Sequence, residues 1–449
     1  MTLAKGEKKA TASKSSRSKT RTEARWRKYV RAMGPGLVTG ASDDDPSGIA
    51  TYAQAGAKYG TSFLWTALLS YPLMAAVQEI CDRTALATGA GIGELASKRF
   101  GRKGRSVLAL LLVVLVVANT LNVAADLVAV GSGMNLLHAG PTWVWALVAG
   151  SLITALLALD SFNRLAVIFK FLCATLLSYL VVAVIVTHQW VHILTSTVVP
   201  HITFNKSYIE LLVAILGTTI SPYLFFWQSA HRLEEMKDED AGGTSVQPLT
   251  KRVRSKAELK QRTSRVDVFS GMAFSNVVMF SIIAVSAATL HAHHETNIQS
   301  AAQAAKALRP LAGSFSSEIF AFGFIGSGLL AIPVLAASGS IGLSDLLGKQ
   351  WGFSMSIKKA PLFYSLVAFG TLGGTAFSLL HVNPITLLVF VAVINGVTAA
   401  PFLFVVMRVS SSRELMGDFV NGKLARTLGW VTFAVMAIAA VALFATGGF

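Results

Sequence analysis

Charge is what this sequence most lacks: only 14% of its 449 residues are Asp, Glu, Lys or Arg, where a water-soluble domain carries about a quarter. Cysteine is nearly absent too, at two residues. Cys81 and Cys173 both fall in apolar segments, which excludes a disulfide framework and a cysteine-built metal site. Proline is sparse, with 12 in all, so a proline within an apolar stretch marks a candidate helix interruption. What abounds is apolar sequence. Runs recur at Val107 to Val117, Trp143 to Leu159, Leu165 to Val186, Val268 to Leu290 and Trp430 to Thr446. Runs near 18 residues read as membrane spans, and shorter ones as helices with a polar face. The chain reads as an all-α polytopic membrane protein.

The net charge of +16 would suit a nucleic-acid binder, but its placement points elsewhere. Residues 1–33 concentrate Lys and Arg, from Lys5 to Arg31, among Ser, Thr and Ala. Such a composition reads as a disordered, cytoplasmic tail drawn to anionic lipid, with no nucleic-acid partner and no obligate protein partner. No short apolar stretch with a small-residue cleavage site follows it, so it does not read as a cleavable signal peptide.

Eleven spans are expected, at 34–57, 61–82, 106–132, 142–160, 163–188, 207–232, 266–290, 313–341, 360–380, 383–408 and 427–447. Charge bias supports the count, because cytoplasmic connections should be basic. Lys98 to Arg105, Lys251 to Arg265, Lys349 to Lys359 and Arg408 to Arg426 are basic, whereas the intervening connection near 140 has no Lys or Arg. The N-terminus then lies in the cytoplasm and the C-terminus outside it, in a bacterial inner or plasma membrane. The expected units are the tail 1–33, a first half 34–190, a second half 207–408 with a cytoplasmic loop 233–265, and a last helix 427–447.

Two spans carry polar breaks. The first contains GASDDDPSG, in which Asp43, Asp44 and Asp45 precede Pro46 and glycines flank the group. An acid at mid-membrane costs about 3 kcal/mol or more, and proline removes an amide and clashes with the preceding turn. Together they predict a helix that unwinds around a bound cation. The sixth span, ILGTTISPYLFFWQSA, breaks at Pro222 amid Thr218, Thr219, Ser221 and Tyr223. Broken spans one and six, five apart, point to a 5+5 inverted repeat with its site at the midplane. Carboxylate, hydroxyl and carbonyl are hard oxygen ligands that suit Mg²⁺, Mn²⁺, Ca²⁺ or Na⁺. No Met, Cys or His lies at either break, and Asp45 is the first ligand candidate.

These residues carry a resemblance. GPGLVTGASDDDPSG with the ATYAQAGAKYG run is similar to the first-helix signature of the NRAMP (natural resistance-associated macrophage protein) divalent-metal transporters. The likeness spans about residues 30 to 447 and includes Asp126 and the stretch Asn383 to Pro401. It implies the amino-acid/sodium-symporter (LeuT-like) fold, eleven helices, alternating access and metal uptake into the cytoplasm. The family's Asp-Pro-Gly-Asn falls on Asp45-Pro46-Ser47-Gly48, so the aspartate ligand is kept and the asparagine becomes Gly48. Its Ala-x-x-Met-Pro-His falls on Thr218 to Tyr223. The carbonyl ligand then lies at Thr218, the methionine becomes Ser221, and a proton-route histidine becomes Tyr223. A second histidine becomes Gln228, and Asp-x-x-Glu becomes Asp126-x-x-Ala129. Loss of the thioether removes the preference for transition metals, and loss of the histidines and glutamate removes groups suited to relaying protons. The branch of the family that resembles magnesium carriers shows losses of this kind.

The expectation is a divalent-cation transporter for Mg²⁺ and/or Mn²⁺, without proton coupling and without a resident cofactor. The metal ligands are Asp45, Thr218 and Ser221. Asp43, Asp44, Gly48, Asp126, Tyr223, Gln228 and Asn395 are supporting or pathway candidates. No nucleophile–base–acid constellation marks an enzyme. Alternatives stay open: a proton-coupled metal symporter using the remaining aspartates, a sodium-coupled carrier of a small organic solute, or a membrane receptor or scaffold. His291, His293, His294 and Glu295 read as a wet outer connection, and Glu234 to Arg265 as an ordinary cytoplasmic loop.

Overall fold

The computed structural model describes residues 35–158, 174–186, 190–237, 239, 246–308, 313–380 and 383–447. The tail 1–33 and half of the expected fifth span lie outside the described residues. Within them every regular element is a helix.

The first expected span is divided as Asp45-Pro46 dictates. Helix α1 (Pro35–Asp43) stops at the acids, and α2 (Pro46–Tyr59) restarts at once. Pro46 at the first helical position needs no amide partner, and Asp45 caps the new helix by accepting from the Gly48 amide. Helix α3 (Trp65–Thr88) ends at Gly89 in the left-handed region, and short α4 (Ile92–Arg99) leads into long α5 (Arg102–Leu136). Helices α6 (Thr142–Ala158), α7 (Leu177–Val186) and α8 (Trp190–Val198) follow.

The second break separates α9 (Lys206–Thr219) from α10 (Pro222–Lys237). Beyond them come α11 (Arg254–Thr289), α12 (Ala301–Ala305), α13 (Ser316–Leu346), α14 (Pro361–Ser378), α15 (Pro384–Ser410), α16 (Arg413–Met416) and α17 (Lys423–Ala445).

Six helices among the described residues are long and apolar enough to cross a membrane, and a seventh span results if the pair Pro46–Phe63 and Trp65–Thr88, bent by 107°, counts as one. The gap between these numbers and eleven has physical causes. The acid–proline break leaves α1 and α2 with 9 and 14 residues, α6 has 17, and only half of the fifth span is described. Helix α11 also starts inside the segment expected as loop 233–265. Its first turns are charged yet helical, with an Arg254–Glu258 pair at 3.0 Å along one face.

Packing brings both breaks to the centre. Helix α1 runs so close to α11 that a Cβ at Gly40 would sit 2.2 Å from the Gly271 carbonyl oxygen. Helix α9 meets α15 in the same manner, where a Cβ at Gly217 would lie 2.1 Å from the Ala392 carbonyl oxygen. Such contacts let backbones approach without intervening side chains, and they fix the height at which each helix unwinds.

Candidate metal-ion site at two helix breaks

Asp43, Asp44, Asp45, Asp126, Thr218, Ser221, Tyr223, Gln228 and Asn395 are all at most 1% exposed. Carboxylates this deep need partners, and the three consecutive acids find different ones. Asp45 Oδ1 accepts from the Ser47 hydroxyl at 2.6 Å and the Gly48 amide at 2.8 Å. Its Oδ2 lies 3.3 Å from the Tyr223 hydroxyl, which also stands 3.5 Å from the Ser42 carbonyl. One oxygen therefore holds the start of α2, and the other faces the second break.

Asp43 and Asp44 turn away from that break toward α11. The Ser275 hydroxyl reaches Asp43 Oδ2 at 2.5 Å and Asp44 Oδ1 at 3.2 Å. Asp43 Oδ1 and Asp44 Oδ2 have no hydrogen-bond partner among the described residues. The three acids thus split between a capping ligand candidate and a pair joined through one serine.

At the second break, Ile220 leaves helical geometry with φ −121° and ψ 54°. Pro222 cannot supply the amide that the Thr218 carbonyl would receive in a continuous helix. The Ser221 hydroxyl fills in, donating to the Thr218 carbonyl at 3.0 Å and the Gly217 carbonyl at 2.7 Å. Each carbonyl keeps a second lone pair, so both oxygens still accept a cation. Gly48 and Thr218 meet across the gap: a Cβ at Gly48 would be 3.0 Å from Thr218 Oγ1. The two breaks are in contact, as the paired prolines in the sequence imply.

Asp126 on α5 has no hydrogen-bond partner for either carboxylate oxygen among the described residues. Its carbonyl and the Pro46 ring both lie against Gly328 of α13, each 3.3 Å from where a Cβ would stand. This turn of α5 therefore packs beside the first break. The neighbouring asparagines are tethered elsewhere. Asn119 donates to the Leu335 carbonyl at 2.8 Å and the Ser338 hydroxyl at 3.0 Å, and Asn122 donates to Asn395 Oδ1 at 3.2 Å. Asn395 is thereby tied to α5.

Gln228 belongs to a second cluster that the sequence reading missed. Its Oε1 accepts from Thr39 of α1, and its Nε2 donates to Asp82 Oδ1 at 2.7 Å. Arg232, buried at 2% exposure, pairs with Asp82 at 2.6 Å, Asp267 at 3.0 Å and Glu235. Asp267 also accepts from the Gly36 amide at 2.8 Å, and Asp82 from the Ser264 hydroxyl. This cluster locks α1, α3, α10 and α11 together beyond the break. One signal existed: Asp82 and Arg232 stand at the ends of helices that are otherwise largely apolar.

Among the described residues no three His, Cys, Asp or Glu side chains converge as a metal cage. His291 and His293 engage backbone instead, His291 meeting the Ala57 carbonyl at 2.9 Å and His293 the Thr289 carbonyl at 2.5 Å. What the breaks present is one or two carboxylates with hydroxyls and carbonyls, all hard oxygen donors.

Comparison with known proteins bears on this geometry. The model of the natural resistance-associated macrophage protein-like family matches residues 36–446. The divalent metal cation transporter MntH of Ralstonia nicotianae is 25% identical over 431 residues, covering 92% of this chain and 90% of that protein. The MntH of Deinococcus radiodurans is 27% identical over 421 residues, covering 92% and 89%. A crystal structure of the Eremococcus coleocola manganese transporter superposes with a TM-score of 0.70 at 16% identity, covering 94% of this chain and 87% of the other. That likeness carries the fold, and the named relatives are transporters.

Proposed function

Because the chain belongs to the natural resistance-associated macrophage protein-like family, we propose that it carries a divalent cation across a membrane through the paired helix breaks. The observation that carries this reading is the arrangement of Asp45, with one oxygen capping α2 and the other turned toward Tyr223. A cation entering between the breaks would meet Asp45, the Thr218 carbonyl and the Ser221 hydroxyl. Asp126 would supply a second negative charge nearby. The names of the relatives support metal as the cargo.

The finer reading is Mg²⁺ and/or Mn²⁺ uptake into the cytoplasm without obligatory proton coupling. Mg²⁺ is held through one or two carboxylates while it keeps several waters, which suits a site with few charged ligands. Ser221 offers oxygen where a thioether would favour softer ions. Two charges moving inward at about −100 mV gain roughly 4.6 kcal/mol, enough to drive uptake unaided. The same reading assigns eleven spans, an inverted repeat with halves at 34–190 and 207–408, and a cytoplasmic N-terminus, on the strength of the basic connections. The tail 1–33 is assigned to the anionic lipid surface.

A proton-coupled form of the carrier is favoured by one feature, the pair Asp43 and Asp44 sharing Ser275, where a proton could reside. Calorimetric titration of the purified protein with Mg²⁺, Mn²⁺ and Cd²⁺ tests the hard-ligand reading. Binding of Mg²⁺ and Mn²⁺ within about tenfold of each other is expected, and a strong preference for Cd²⁺ would overturn it.

A further inference from the structure

A cleft of about 870 Å³ that includes none of the residues at the helix breaks opens where α3 finishes and α11 and α17 begin. It is lined by one face of α3 through Ala76, Glu79 and Arg83, by one face of α11 down to Arg265 and Phe269, and by Lys423 and Leu428 of α17. The polarity of these three helices is graded in the same direction. On each, a charged lining residue sits nearer the shared end than an apolar one: Arg83 before Ala76, Arg265 before Phe269, Lys423 before Leu428.

The charge at the shared end is in surplus. Five cations line the cleft, Arg83, Arg252, Arg254, Arg265 and Lys423, against three acids, Glu79, Glu258 and Asp418. Arg252 is paired with Glu239 at 2.9 Å and Arg254 with Glu258 at 3.0 Å, which leaves Arg83, Arg265 and Lys423 against Glu79 and Asp418. Glu79 serves two guanidiniums at once, pairing with Arg83 at 3.1 Å and with Arg265 at 3.2 Å. Arg83 is buried and spent, since it also donates to the Phe419 carbonyl and to Asn421 Oδ1, both at 2.9 Å. Arg265 keeps a side chain 47% exposed, and Lys423 makes no ion pair among the described residues. Exposed Leu424 lines the cleft with apolar surface.

We propose that this cleft is a binding site for an anionic phospholipid, with the phosphate between Arg265 and Lys423 and an acyl chain along Phe269 and Leu428. A basic head beside an apolar floor matches the headgroup and acyl chain of that ligand.

Native mass spectrometry of the delipidated full-length protein, titrated with phosphatidylglycerol or phosphatidylcholine, tests the site. Phosphatidylglycerol is expected to bind at least about tenfold more tightly. Arg265→Gln with Lys423→Gln should weaken it roughly thirtyfold, from two charges at the headgroup level. Leu428→Trp, which fills the apolar end and alters no charge, should weaken it as well. Lys358→Gln with Lys359→Gln, which removes exposed charge outside the cleft, should leave binding unchanged. Equal affinity for the two lipids, or retention of phosphatidylglycerol by both cleft variants, would overturn the proposal. So would displacement of the lipid by inorganic phosphate at equal concentration, since the cleft would then hold a soluble anion.

Discussion

Asp45 Oδ2 and the Tyr223 hydroxyl lie 3.3 Å apart across 178 residues of sequence, so a carboxylate on one broken helix and a phenol on the other face each other directly. The same carboxylate caps α2 through the Gly48 amide. A capping role and the proposed ligand role therefore meet in one side chain, and substitutions can separate them.

Asn is as good a helix cap as Asp but carries no charge. Asp45→Asn is therefore expected to keep thermal stability close to that of the parent while abolishing Mn²⁺ binding. Asp45→Ala should lose both, with about 1 kcal/mol from the missing cap. Thermal unfolding and calorimetry on the two variants check this. Equal metal affinity in Asp45→Asn and the parent would leave Asp45 with capping alone.

At the second break the Ser221 hydroxyl bonds its own helix at Gly217 and Thr218. Ser221→Met removes those bonds and introduces a thioether. Competition between Cd²⁺ and Mg²⁺ should shift toward Cd²⁺ by about tenfold or more, as ligand softness changes. An unchanged ratio would mean that residue 221 does not face the ion.

Arg232 stands between Asp82 and Asp267 in a nearly dry interior. Removing it leaves two carboxylates uncompensated, which costs about 3–5 kcal/mol in buried pairs. Arg232→Met should therefore lower the melting temperature sharply. Neutralising Asp82 and Asp267 as well, to Asn, should recover part of the loss. A variant Arg232→Met that melts with the parent would show that the cluster is solvated.

Gly217 meets the Ala392 carbonyl where no Cβ fits. Gly217→Ala is expected to destabilise by about 1–3 kcal/mol, in the range of overpacked cores. A Cβ at Gly150 first meets side-chain atoms of Thr375 rather than backbone, which can give way by releasing the bond to the Thr371 carbonyl, so Gly150→Ala should be milder. Parallel thermal melts of the two variants check the order.

Much of this was legible from residues alone. The breaks at Asp45-Pro46 and Pro222 follow from proline geometry and the cost of buried acids, and the structure divides helices at both positions. Their mutual contact was readable only as a pairing of positions, because it depends on the close approach of α9 to α15 at Gly217. The fates of the three acids were not legible. Asp43, Asp44 and Asp45 are adjacent in sequence, yet which one turns to Ser275 and which to Tyr223 is set by the unwound backbone between α1 and α2. Gln228 is a candidate only because the resemblance places a histidine at that position, whereas the helix beyond Pro222 carries it to Asp82. The cluster around Arg232 escaped because its members come from four helices with no shared spacing.

Flux into proteoliposomes, with Mg²⁺ and Mn²⁺ presented separately and reporters inside for metal and for pH, bears most directly on the transport role of Asp45. Metal entry without internal acidification, lost in Asp45→Asn, is the expected result. Entry that persists undiminished in Asp45→Asn, or no entry of either ion by the parent protein, would contradict it.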